Sequence, residues 1–126
     1  MTTGEKLTVR IEEGRRFDGL GIAITRLIHP LTVGSDQLCV AYCVFEPGQE
    51  TRRHYHANEE GFFVLEGEGT MYLDGVGDIR LEPGLAVYAP SNRAHGIRND
   101  GPGQLRILTA LSPPPVEGEP PTFVDE

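Results

Sequence analysis

Turn signals recur so often along this chain that no long helix has room to form. Pro47-Gly48 and Pro83-Gly84 carry the proline-then-glycine pattern of a tight turn, and Asp74-Gly75 is a hairpin dipeptide. Pro90-Ser91-Asn92 and Asn99-Asp100-Gly101-Pro102 are corners. Between them lie apolar runs of strand length at 37–45, 62–65, 70–73, 79–81, 85–89, 95–98 and 104–111. Upstream, Leu7, Val9 and Ile11 predict one short strand, and Ile22, Ile24 and Leu27 another. No segment shows an amphipathic helical period with caps. Eight or more short strands at this spacing predict an all-β barrel or sandwich.

The barrel is expected over residues 1–111 as one domain, which suits a chain of 126 residues. Residues 112–126 (SPPPVEGEPPTFVDE) hold five of the ten prolines and four acids, which excludes a helix or a central strand. This tail is expected either disordered or extended along a surface, with Phe123 and Val124 as its anchors.

A net charge of −8 argues against nucleic acid and anionic membranes as partners. No stretch approaches the roughly 20 apolar residues of a membrane span, and residues 1–14 lack the apolar core of a signal peptide. A cytoplasmic location is the expectation. Cys39 and Cys43 share one strand face but lie too far apart along it to bridge, so they read as buried, reduced thiols.

Chemistry concentrates between Gly48 and Gly67, where His54 and His56 stand two residues apart. On a strand these side chains share a face with Cα atoms about 6.5 Å apart. Two imidazoles so placed can converge on one ion at bonds of about 2.0–2.1 Å. If the chain reverses near Asn58, Glu60 starts a neighbouring strand and brings a carboxylate to the same point. The bland alternative is a solvent-facing histidine pair beside a surface acid. His29, just before Pro30, is a candidate further ligand but fits better as an edge or loop histidine.

At this point the chain resembles the cupin family. Gly48, His54, His56, Glu60 and Gly67 match that family's first motif, G-x5-H-x-H-x3-E-x6-G. Gly84, Pro90, His95 and Asn99 match its second, G-x5-P-x-G-x2-H-x3-N. Asn92 stands in place of the middle glycine, a mild departure because asparagine tolerates the left-handed region. The resemblance implies a double-stranded β-helix, a jelly-roll-like barrel, around one metal ion held by His54, His56, Glu60 and His95. It favours Glu60 over Glu59, and it implies a homodimer.

Three imidazoles and one carboxylate suit Fe, Mn, Ni, Zn or Cu as a divalent ion, and leave positions open for a ligand. Strand parity puts Arg52 on the face of the two histidines, where it would anchor a carboxylate or else pair with a surface acid. Phe62 and Val64 are expected to form an apolar wall, and Tyr88 is a further candidate substrate contact if it faces inward. The function expected is a small metalloenzyme (dioxygenase, isomerase, lyase or cyclase) acting on a carboxylate, sugar acid or phenolic metabolite. The alternative is a non-enzymatic small-molecule or metal-binding module.

Overall fold

A computed structural model describes residues 5–116 and 118–124 of the chain. Eleven strands carry the regular structure: β1 (Arg15–Phe17), β2 (Ala23–Ile28), β3 (Cys39–Phe45), β4 (His54–Tyr55), β5 (Glu59–Glu66), β6 (Gly69–Leu73), β7 (Gly77–Leu81), β8 (Ala86–Ala89), β9 (His95–Arg98), β10 (Leu105–Ser112) and β11 (Thr122–Phe123). They form two antiparallel sheets, of order β1-β2-β3-β10-β5-β8 and β11-β4-β9-β6-β7. From β3 onward the chain passes repeatedly from one sheet to the other, the winding of a double-stranded β-helix.

Period-two burial explains why the sheets face each other. Along β3, Cys39, Ala41, Cys43 and Phe45 are buried, while Val40, Tyr42 and Val44 are half-buried on the outer face. β10 repeats the pattern with Leu105, Ile107 and Thr109. Phe45, Val64, Met71, Leu81, Leu105 and Ile107 are fully buried between the sheets. Each such side chain contributes on the order of 1.5–3 kcal/mol through its removal from water.

Asp74-Gly75 turns the β6–β7 hairpin as its dipeptide predicts, with Val76 N–H donating to Leu73 O at 2.9 Å. Gly67 has φ +89°, and an added Cβ would lie 2.3 Å from the backbone oxygen of Gln104, so only glycine fits where β5 leaves β10. Asn92 has φ 62°, the left-handed conformation anticipated for it.

Three expectations need correction. Leu7 and Val9 lie outside regular structure and Ile11 opens a 3-10 turn (Ile11–Glu13), with Leu7 and Ile11 exposed. Their alternation finds no neighbouring strand among the described residues, and a strand needs a hydrogen-bonded partner. Arg15–Phe17 supplies the edge strand instead, paired with β2. Secondly, Glu60 does not lie on a strand beside the histidine strand. The Ala57-Asn58 corner carries the chain across the barrel, so β4 and β5 belong to opposite sheets. Thirdly, β2 continues its inward row through Arg26 rather than Leu27: Ile24 and Arg26 are buried and Leu27 only half-buried.

The described residues of the tail run back along the barrel, held at Phe123 and Val124. β11 pairs with β4, setting Phe123 opposite His54, and Val124 N–H donates to Arg53 O at 2.9 Å. Asn58 Nδ2 donates to Pro113 O, and Ser112 Oγ to Gln37 O at 2.6 Å.

Candidate metal centre

His54, on the short strand β4, pairs directly with His95 on β9. His56 follows two residues on, and β5 brings Glu60 in from the facing sheet. Ring centroids stand 4.6 Å apart for His54 and His95, 5.2 Å for His56 and His95, and 5.8 Å for His54 and His56. One ring nitrogen from each of the three lies within 4.8 Å of the others, so the group could hold a metal ion. Glu60 Oε1 is 3.2 Å from His56 Nε2 and 3.5 Å from His95 Nε2.

Backbone carbonyls set the tautomers. His54 Nδ1–H donates to Arg52 O at 2.6 Å, His56 Nδ1–H to Asn58 O at 2.9 Å, and His95 Nδ1–H to Arg93 O at 2.9 Å. A carbonyl only accepts, so each Nδ1 carries the proton and each neutral ring keeps its lone pair on Nε2. In all three the acceptor belongs to a residue two positions away, which makes the orientation a local property of the strand ends. This outer hydrogen bond is the arrangement that orients metal-bound imidazoles. His95 Nε2 is buried without a hydrogen-bond partner, its 3.5 Å approach to Glu60 falling short of hydrogen-bond geometry. An orphaned imidazole nitrogen beside a buried carboxylate fits a divalent transition ion.

Burial, assisted by the neighbouring imidazoles, pushes His54 down to about 4, so it is neutral near pH 7. Burial also opposes charge on His56 and on Glu60. Their mutual contact outweighs it, with His56 raised and Glu60, also facing His95, lowered. Burial raises the Cys39 thiol to about 11 and that of Cys43 to about 12, so both stay protonated.

The histidines and Glu60 open into a cavity of about 400 Å³. Its wall includes Ile22, Ile24, Phe45, Phe62, Ile97 and Ile107, and residues 113–116 and 119–122 of the proline-rich tail cover part of it. Of the expected substrate contacts, Phe62 lines this space, with its ring 5.6 Å from His95. Val64 is core beneath it, fully buried. Tyr88 faces outward and donates to Glu59 Oε1 at 2.9 Å. Arg52 is exposed, its guanidinium 4.3 Å from the Phe123 ring centroid, because β4 is too short to keep strand parity back to residue 52. The inward cation is Arg26, and the signal for it was available: counting by twos from Ile22 and Ile24 arrives at 26. His29 is buried but lies away from the cavity. Its Nδ1 accepts from Leu31 N–H at 3.0 Å and helps shape the turn after β2.

Two all-β sheets wound as a double-stranded helix around an inward three-histidine group define a cupin-type barrel. The sequence comparison agrees: the Cupin domain family model matches residues 41–111, and the chain belongs to that family. Auxin-binding protein 1 of Arabidopsis thaliana is 37% identical over 81 residues, 58% of this chain and 41% of that protein. An uncharacterized protein of Methanocaldococcus jannaschii is 33% identical over 95 residues, 75% of each chain. Thus the chain spans less than half of the auxin-binding protein it matches. Among solved structures, the polyketide cyclase RemF of Streptomyces resistomycificus superposes with a TM-score of 0.79 at 22% identity, covering 96% of this chain and 87% of that one. That likeness is one of fold.

Proposed function

We propose that this protein holds one divalent transition ion (Fe, Mn, Ni, Zn or Cu) and acts on a small oxygen-rich metabolite coordinated to it. One observation carries the reading. The carbonyl-bound Nδ1 protons turn the Nε2 lone pairs of His56 and His95 toward the carboxylate of Glu60. Lone pairs facing lone pairs in a buried space call for a positive charge between them. A proton on His56 meets that need in part, and a metal ion meets it for all four groups.

His54, His56 and His95 would ligate through Nε2 and Glu60 through its carboxylate. The bound ion would supply Lewis acidity and exchangeable positions for oxygen donors. The carbonyls of Arg52, Asn58 and Arg93 hold the three rings in place. Phe62 and its aliphatic neighbours exclude water on one side and the tail on another, which strengthens every charge contact inside. Reduced Cys39 and Cys43 suit a cytoplasmic setting.

The test is elemental analysis after growth with Fe, Mn, Ni and Zn, followed by titration of metal-loaded and metal-stripped protein with oxalate. About one equivalent of metal and tighter binding by the loaded form are expected. Less than a tenth of an equivalent, or equal affinities, would remove the proposal. Similarity to a protein named for binding rather than for a reaction favours the second reading, a binding module. Turnover of any keto acid, sugar acid or phenol, with or without oxygen, decides against that second reading.

A further inference from the structure

The proline-rich tail meets the histidine group at two points. Just beyond β10, the carbonyl of Pro113 accepts from Asn58 Nδ2. Further on, β11 pairs with β4 and sets Phe123 opposite His54, with 6.2 Å between their ring centroids. Residues 113–116 and 119–122 line the cavity between these points. Glu119 N–H donates to Val116 O at 3.1 Å, so the tail makes its own turn on that side.

Asn58 is where tail and histidines join. Its carbonyl accepts from His56 Nδ1–H at 2.9 Å, and its side chain donates to the tail. It is half-buried and lines the cavity. It lies in the corner between Tyr55, the last residue of β4, and Glu59, the first of β5. A carbonyl in such a corner is fixed by single bonds from neighbouring segments rather than by a strand ladder. Ser91 Oγ donates to Ala57 O, and Asn92 N–H to His56 O at 2.8 Å, which holds the corner from the loop before β9. The bond to Pro113 holds it from the tail. The outer acceptor of a metal-binding imidazole sets the ring's direction, and metal affinity depends on it.

We infer that Asn58 is a positioning residue for His56 and couples the tail to the metal group: the docked tail orders the site for a divalent ion, and the ion in turn holds the tail down. The inference rests on the proposed metal reading and adds the regulation of that same site. A tail that only covered the cavity would slow entry and exit of the ion alike and leave its affinity unchanged. A tail that orders a ligating ring changes the affinity itself. Linkage then requires the ion to stabilise the docked tail by the same factor.

The experiment measures zinc affinity by competition with a chromophoric chelator. Alongside, a Glu-specific protease is applied with and without zinc, and mass spectrometry follows the cut after Glu119. The cut after Glu66, the last residue of β5, reports opening of the barrel. Cleavage after Glu119 is expected to run at least about tenfold faster than after Glu66, because the tail releases on its own. Zinc should slow it about fivefold in wild type, the worth of one hydrogen bond. Asn58→Ala keeps the carbonyl for His56 and removes the donor to Pro113. It should weaken zinc binding about fivefold and reduce zinc's protection of the tail to less than about twofold. Unchanged zinc affinity in Asn58→Ala, undiminished protection, or equal cleavage rates after Glu119 and Glu66 would overturn the inference and leave the metal reading standing. No zinc binding by wild type would overturn both. Should Asn58→Ala fail to fold, Asn58→Asp, which keeps the shape without the donor, decides in its place.

Discussion

The three Nδ1–H···O=C bonds give each residue of the histidine group a definite consequence on mutation. His95→Ala removes the nitrogen that has no other partner, and bound metal is expected to fall below a tenth of the wild-type amount by elemental analysis. Glu60→Gln keeps the volume but loses the charge. Metal content and any turnover should drop at least tenfold, with an unchanged circular dichroism spectrum. For pH, His54 titrates near 4 when folded and near 6.5 when unfolded, so between those values the unfolded chain binds more protons. Its contribution to stability is therefore present above about pH 6.5 and lost as pH falls toward 4. Melting curves of metal-free protein across that window should be flatter for His54→Gln than for wild type. Asn99 acts at the same scale without touching the site. Its Nδ2 donates to Phe45 O at 2.9 Å and Gly103 O at 2.8 Å, and its Oδ1 accepts from Gly101 N–H at 3.0 Å. Asn99→Ala leaves buried carbonyls unpaired and should cost roughly 2–4 kcal/mol in urea unfolding.

Among the elements, the tail gains most from tertiary context. Two residues of β11 add a strand beside the very residue that opens the histidine group, and Arg52 stacks on Phe123 from outside. Proline suits this role because an edge segment needs few donors and its stiffness lowers the entropy cost of lying still. Phe123→Ala is expected to free the tail and leave the barrel intact. The rate at which a chelator strips bound metal should then rise about tenfold, measured by absorbance of the metal–chelator complex. The corner between the sheets is equally specific. Asn92 N–H donates to His56 O at 2.8 Å, and Ser91 Oγ donates to Ala57 O, so the loop before His95 is tied to the loop after His56.

At the scale of the molecule, the outer face of the six-stranded sheet carries Val40, Phe63, Tyr88, Leu108 and Ala110 around a shallow apolar groove. Phe63 and Tyr88 on this face are 43% and 57% exposed. We propose that a second copy of the chain covers that face. Light scattering should give twice 13.8 kDa at micromolar concentration, and Phe63→Lys should return the monomer mass. No helix of the described residues is long and apolar enough to cross a membrane.

Local signals sufficed for much of this. Turn dipeptides, period-two burial and histidines two apart depend on neighbours within a few residues, so strands β2 to β10, the left-handed Asn92 and the His54–His56 pair were legible in one dimension, whereas His95 joined the pair only through the resemblance to the cupin family. Which sheet a strand joins is a long-range matter. Glu60 crosses the barrel, Arg52 turns out to Phe123 and Tyr88 to Glu59, because each side chain's direction follows from pairing with distant segments. The tail's place was decided the same way. Hydrogen bonds between strands far apart in the chain hold them there, and no short window of sequence contains both partners.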